Sequence, residues 1–367
     1  MVGVRPTWIE VDLGAVRENV RALRAAAAPA LLCAVVKADG YGHGDVPVAE
    51  AALEAGADWL AVAIVSEGAR LREAGIEAPV LLLSEPPEED AAEVVRWNLV
   101  PTVYRRPFLE ALVASAPPGY PVHLKVDTGM HRVGAPEAEA ADLAAAVAGS
   151  PLALEGLWTH FAVAEEDPGF TALQAERLDA LRRRLDAAGI RPRMIHAANT
   201  AGTLGHPSAR LDMVRPGIGV YGLRPAPGSA PEVPLRPAMR VLSHVSYVRR
   251  LPAGARPSYG RVRPLPADAT VATVPIGYAD GVPRRLGPAG AEVLIRGRRR
   301  PLAGTVTMDQ IVVDVGDDPV EVGDEVVLLG RQGDAEITAD EWAALLGTIN
   351  YEIVCGFGPR MPRRYLG

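Results

Sequence analysis

The chain has 367 residues, a length that suggests two hydrophobic cores rather than one. Its 38 Lys and Arg against 45 Asp and Glu leave a net charge of −7, so no positive field exists to hold nucleic acid or an anionic membrane surface. Hydrophobic residues make up 49% and charged residues 23%, the balance of a globular protein, and no run approaches the ~18 apolar residues of a spanning helix.

The opening MVGVRPTWIEVDL lacks the apolar stretch and the small-residue cleavage site of a secretory signal, so a cytoplasmic location is expected. Cys33 and Cys355 are far apart and without zinc-ligand spacing, which supports neither a disulfide framework nor a structural metal. Among the basic residues, 36 are Arg and only two are Lys, Lys37 and Lys125. A guanidinium stays protonated, whereas an amine can act as nucleophile, base or Schiff-base partner. These two positions are therefore candidates for chemistry.

From residue 31 short apolar runs alternate with amphipathic stretches, the pattern of βαβ units. Eight strands are expected, at 31–37, 59–64, 79–84, 99–104, 122–127, 154–160, 193–198 and 211–215. Eight strands over this length fit a TIM-type (β/α)8 barrel. An open doubly wound sheet would need a Gly-rich phosphate loop early in the chain, and none is present. The one G-x-G-x-x-G match, at Gly217, Gly219 and Gly222, is followed by LRPAPGS, which cannot open a helix, and is read as a false dinucleotide signal.

Residues 222–237 carry five prolines and are expected to run as an extended linker. Beyond them MRVLSHVSYV, TVATVPIGY, AEVLIRG, QIVVDV and DEVVLLG read as strands, with a helix near 338–347. The expected organisation is an α/β barrel domain over 1–230 and a mostly-β domain over 231–367, with a first strand near 7–12 able to pack with the latter. The basic clusters Arg182 to Arg184 and Arg298 to Arg300 are read as solvated faces or turns.

In such a barrel, catalytic groups come from the C-terminal ends of the strands. Lys37, Lys125, His160, His196 and Arg215 all fall at or near those ends. Asn199 and Thr200 follow strand seven, and Gly217, Ile218 and Gly219 follow strand eight, where barrels commonly bind phosphate. A phosphate site with a Schiff-base-capable lysine points to a phosphorylated sugar or to pyridoxal 5′-phosphate (PLP).

After Lys37 the chain reads KADGYGHG, and further along come KVDTGMHRVG, the TH of LWTHF, HAANTAG, RPGIGVYGL, PSYG, IGYADG, GTVTMDQ and INYEIVCGFGPRMPRRY. These segments, in this order over essentially the whole chain, closely resemble the bacterial alanine racemase family of barrel-plus-β-domain PLP enzymes. The resemblance implies a homodimer that interconverts L- and D-alanine for peptidoglycan, with small molecules as its only other partners. Lys37 matches the lysine that carries PLP and acts as one base, and Tyr259 the second base, supplied by the other subunit. His160 matches a histidine that bonds to that tyrosine and to Arg215, and Arg215 the arginine facing the pyridine nitrogen. Tyr41, Thr200, Gly217, Ile218 and Tyr351 match phosphate ligands, and Asn199 belongs to the same cofactor-binding set.

Arg132 matches the arginine that contacts the cofactor's phenolic oxygen and the substrate carboxylate. Lys125 matches a lysine carbamylated in many members. Met308 and Asp309 match the segment that binds the substrate carboxylate across the dimer, and Tyr278 with Tyr351 a narrow mouth. Three departures from the family pattern stand out: Pro257 in ARPSYG, Thr307 where cysteine is frequent, and Asp39–Gly40 where Asn–Ala is common. None removes a reacting group, and His196 is kept out of the catalytic set. A broad-specificity racemase, a PLP-carrying barrel protein and a related decarboxylase are the rival readings. The last two fit Tyr259 and residues 238–367 less well.

Overall fold

The computed structural model describes residues 5–230 and 232–367. Residues 1–4 of the expected barrel domain and Pro231 of the Pro-rich stretch lie outside them. By packing, the chain divides into Gly14–Pro237 and a second unit made of the segment up to Leu13 with Ala238–Gly367. No helix among the described residues is long and apolar enough to cross a membrane.

The first unit holds eight parallel barrel strands, Leu31–Val35, Trp59–Val62, Val80–Leu82, Thr102–Val103, Pro121–Asp127, Ala153–Trp158, Met194–His196 and Met213–Val214. The eighth returns to the first, with Met213 opposite Leu31 and Val214 opposite Leu32. A bridge from Leu81 to Val100 joins the third strand to the segment that becomes the fourth. This is the expected (β/α)8 barrel. Leu32, Cys33, Ala34, Leu60, Ala61, Val62, Val80, Leu81 and Leu82 are buried, as strands covered on both faces require, and their sequences read as continuous apolar runs. The fourth strand is only two residues long because Pro101 has no N–H to add to the ladder, although its carbonyl accepts from His123 N at 2.9 Å.

The helix Pro168–Ala187 shows why the surrounding elements begin where they do. Asp167 accepts from Phe170 N at 2.9 Å, and Pro168 sits at the first helical position, where its missing N–H costs nothing. Arg182 and Arg183 lie on this helix and pair with Asp179, while Arg182 also pairs with Asp186.

The Pro-rich stretch departs from expectation, since it folds back rather than running as an extended linker. Asn19 Nδ2 donates to Val220 O at 3.2 Å and Arg236 O at 2.9 Å, while Asn19 Oδ1 accepts from Arg236 N at 2.8 Å. Arg224 donates to the carbonyls of Ser229, Ala230 and Val233. One buried amide and one guanidinium thus satisfy carbonyls that a proline-rich segment cannot pair by itself.

In the second unit a seven-stranded sheet runs in the order Arg298–Pro301, Glu292–Ile295, Glu325–Gln332, Met239–His244, Thr7–Asp12 and Arg363–Leu366, with Ala335–Ile337 paired to Glu325–Gln332. Thr7–Asp12 is antiparallel to Met239–His244 and parallel to Arg363–Leu366. A separate three-stranded sheet contains Tyr247–Leu251, Ala269–Val274 and Ile311–Gly316. The apparent single strand MRVLSHVSYV is divided between the two sheets. Val245 N donates to Asp324 O at 2.9 Å, whereas Ser246 N donates to Thr273 O at 2.9 Å, so neighbouring amides serve different sheets. Arg298 to Arg300 are not a turn but an edge strand, paired with Asp318, Glu292 and Glu341, and charge along an edge discourages further strand addition.

Candidate active site

Strand pairing of the first barrel strand ends at Val35, and Lys37 opens a short turn, Lys37–Tyr41. In that turn Ala38, Asp39, Gly40 and Tyr41 have φ of 54, 53, 58 and 51°, a left-handed helical turn. Such a conformation costs an L-residue about 1–2 kcal/mol, so it persists only where the surroundings fix it. Glu67, itself buried, takes Ala38 N at 2.7 Å and Ala63 N at 2.8 Å. Arg70 in turn holds Asp45, whose backbone lies against Gly40. The glycines of KADGYGHG indicated a close backbone approach, but nothing in the sequence signalled left-handed Ala38, Asp39 and Tyr41.

The loops after strands seven and eight converge on one hydroxyl. Thr200 Oγ1 accepts from Gly217 N at 3.0 Å and Gly219 N at 3.3 Å. Asn199 accepts from Gly202 N at 2.9 Å and so caps the helix Thr200–Gly205. A side chain at Gly217 would collide with the Tyr41 hydroxyl. Tyr41, Thr200 and Gly217 therefore form one cradle, with Ile218 buried beside it.

Arg215, 2% exposed, is the hub of the barrel interior. Its Nη2 donates to Thr159 O at 2.8 Å and Ala197 O at 2.9 Å and lies 3.5 Å from His160 Nδ1. Its Nη1 is 2.6 Å from His196 Nδ1. Its Nε is buried and has no partner among the described residues. Burial first, then the charges of Arg215, Lys125, Arg132 and Lys37, holds His160 well below the usual imidazole range, so the ring is neutral.

Lys125 lies 4.3 Å from the centroid of the Trp158 ring, with Arg215 at 4.5 Å from the same ring. Burial, followed by Arg215 and Arg132, lowers the Lys125 amine from 10.5 to about 7. Near neutral pH a substantial fraction of it is therefore uncharged and nucleophilic. The loop after this strand is built by Asp127, whose Oδ1 accepts from Gly129 N, Met130 N and His131 N, each at 3.0 Å. Although burial acts against it, those amides and His131 hold its carboxyl below the ordinary range. Arg132 follows, exposed, and lines a cleft of about 650 Å³ with Tyr104, Arg105, Val133 and Gly134.

The remaining expected site residues, Tyr259, Tyr278, Met308, Asp309 and Tyr351, belong to the second unit. Tyr259 is 70% exposed and sits between Ser258 and Gly260, at φ of 67° and 72°. Ser258 Oγ donates to Thr305 O at 2.5 Å, fastening the loop. Tyr278 N donates to Thr307 O at 2.9 Å and Ala279 N to Met308 O at 3.0 Å, which joins two expected site segments. Asp280, wholly buried, takes Gly277 N at 2.9 Å and pairs with Arg5 and Arg360, and Arg360 also holds Asp309 Oδ1 at 2.7 Å. Sequence reasoning missed Asp280 and Asp127, although the ADG and DTG triplets are the local signal for carboxylates that organise turns.

Comparison with known proteins gives the family. The alanine racemase N-terminal domain matches residues 11–225 and the alanine racemase C-terminal domain residues 238–365. The chain belongs to the alanine racemase family. An alanine racemase of Symbiobacterium thermophilum is 52% identical, over 100% of this chain and 98% of the relative. That of Frankia casuarinae is 47% identical over 97% and 95%. Among solved structures, alanine racemase from D-cycloserine-producing Streptomyces lavendulae superposes with a TM-score of 0.92 at 40% identity, covering 99% of this chain and 97% of that one. The Bacillus anthracis alanine racemase with bound L-Ala-P gives 0.93 at 37%, covering 100% and 96%. Members of the alanine racemase family thus share both units of this chain, from the barrel to the β-rich portion.

Proposed function

We propose that this chain interconverts L- and D-alanine with PLP as cofactor, as a homodimer in the cytoplasm, supplying D-alanine for peptidoglycan. The observation that carries the reading is Arg215 Nε, a buried donor with no partner among the described residues, in the same barrel as Lys37 and the Tyr41–Thr200–Gly217 cradle. A pyridine nitrogen is an acceptor of the kind such a donor requires. The donor set therefore fits PLP: Arg215 for the ring nitrogen, Lys37 for the aldehyde carbon, and Tyr41, Thr200, Gly217 and Ile218 for the phosphate, to which the family pattern adds Tyr351. Bound there, the cofactor supplies the electron sink that acidifies the Cα–H of the substrate.

The chain's residues do the rest. The Lys37 amine takes or returns the Cα proton on one face, and the Tyr259 phenol of a second copy does so on the other. Opposite-face proton transfer is what inversion at carbon demands. Arg215 would donate a hydrogen bond to the ring nitrogen without transferring its proton, which would keep the electron sink weaker than an acidic partner would. Neutral His160 orients the phenol. Arg132 and Met308 N bind the carboxylate, with Asp309 alongside, and Tyr278 with Tyr351 narrows the mouth to a methyl side chain. The neutral Lys125 amine attacks CO2: an N–C bond forms as one C=O π pair moves onto oxygen, the nitrogen gives a proton to solvent, and the resulting carbamate anion orients Arg132.

The test is to incubate holoprotein with single L-amino acids in deuterated water and to read enantiomer ratio and Cα deuterium by chiral mass spectrometry. Alanine is expected to convert rapidly with one deuterium at Cα. Equal conversion of larger side chains would overturn the narrow mouth, and no conversion with PLP bound would overturn the racemase reading.

A further inference from the structure

We infer that His123 is a positioning residue that acts through His196 to fix the Arg215 guanidinium. The inference deepens the proposed reading, since Arg215 matters there as the donor to the cofactor ring. His123 and Lys125 lie two apart on the strand Pro121–Asp127 and so share a face. His123 Nδ1 is 2.8 Å from His196 Nε2, and His196 Nδ1 is 2.6 Å from Arg215 Nη1. All three side chains are buried.

The proton positions along this row follow from one fact: a guanidinium has donors only. His196 Nδ1 must therefore accept, and a neutral His196 carries its hydrogen on Nε2. That N–H can only donate to His123 Nδ1, which must also be bare, so His123 carries its hydrogen on Nε2. His123 Nε2 is indeed the buried end of the row, without a partner among the described residues. Neutrality is secured by the surroundings: burial, then Arg215, pushes His123 down to about 3, and the same causes followed by His123 hold His196 well below its usual value. With the reverse tautomer at His123, two N–H groups would face each other. His196 would then have to move its hydrogen to Nδ1 and oppose Arg215.

The place of the His123 ring is built into the barrel. Gly156 stands opposite His123 in register on the adjacent strand, and a side chain there would occupy the ring's position. Trp158 stacks on His196 with ring centroids 5.5 Å apart, and Trp59 lies 5.4 Å from His123. With Nη1 held by this row and Nη2 held by Thr159 O and Ala197 O, Nε is the guanidinium nitrogen without a partner among the described residues. His123 thus decides which edge of Arg215 is offered.

The experiment uses holoenzyme labelled with 15N-histidine, in the parent protein and in His123→Asn and His123→Leu. Asn carries an amide oxygen that can replace Nδ1 as acceptor, whereas Leu fills space without accepting. Solid-state NMR is expected to show both His123 and His196 as neutral Nε2–H tautomers in the parent. The Asn variant should keep the His196 tautomer and kcat within about threefold, whereas Leu should lose the single tautomer and about tenfold in kcat, at unchanged KM. A hydrogen on Nδ1 of either ring in the parent would overturn the inference, as would equal kcat losses in Asn and Leu or no loss in Leu. If His123→Leu fails to fold, the parent spectrum and the Asn variant still decide. The tautomer readout needs no substrate, so failure of the alanine reading leaves it intact.

Discussion

The two units present their polar groups in opposite ways. In the barrel, Arg215, His196, His123, Lys125 and Thr200 are buried and interlocked, each fixed by a neighbour from another strand or loop. In the β-rich unit, Tyr259, Tyr278 and Met308 are 70%, 42% and 53% exposed on the single chain, although the loops beneath them are fastened by Ser258 and Asp280. Buried polar groups need their partners within the fold, while exposed side chains on a fastened loop hold one orientation without one. That contrast is what the proposed dimer explains, with one unit preparing the cofactor site and the other preparing groups for a second copy.

Breaking the barrel half should have the largest effect. Lys37→Ala is expected to lower racemisation by about 10⁴-fold or more, with PLP no longer released as a covalent lysine adduct after borohydride reduction and peptide mass spectrometry. A retained adduct at another residue would reassign the lysine, and Lys125 is the alternative position the sequence offers.

Breaking the support of the other half should cost stability instead. Asp280→Asn removes the charge that holds Arg5, Arg360 and, through Arg360, Asp309. Both arginines reach solvent, so the expected loss is about 2–3 kcal/mol in denaturant unfolding, less than for a fully buried pair. Because the same turn carries Tyr278, KM for alanine should rise with it. An unchanged midpoint would mean that the 277–280 turn does not depend on this carboxylate.

A smaller and subtler effect should come from Lys125. Its pKa falls from 10.5 to about 7 on folding. Between those values the unfolded chain binds a proton that the folded chain does not, so the contribution of this group to stability rises with pH across that window and is least favourable below it. In CO2-free buffer, Lys125→Met should be more stable than the parent near pH 6, with the advantage shrinking towards pH 10. A constant difference over that range would show that the amine is not depressed.

The barrel was legible because its strands are apolar on both faces and end in polar residues, and the scarcity of lysine marked Lys37 and Lys125 before any fold was known. Other features depend on pairs distant in sequence. His123 and His196 are 73 residues apart, and only the ordering of barrel strands brings them together. The left-handed turn at Ala38 is imposed by Glu67, 29 residues on, against the preference of the residues in it. MRVLSHVSYV looks like one strand because the amides of Val245 and Ser246, which divide it, leave no mark in side-chain pattern. Arg298 to Arg300 became a strand because acidic partners as far away as Glu341 neutralise them.

The central claim, that Lys37 and the Tyr259 of a second copy serve opposite faces of one carbon, is tested most directly by Tyr259→Phe with PLP bound. Exchange of the Cα hydrogen for deuterium would be followed separately from L- and from D-alanine by mass spectrometry. The account predicts that exchange from one enantiomer falls by about 10²–10⁴-fold while exchange from the other, served by Lys37, persists. Equal exchange from both enantiomers at the parent rate would contradict it.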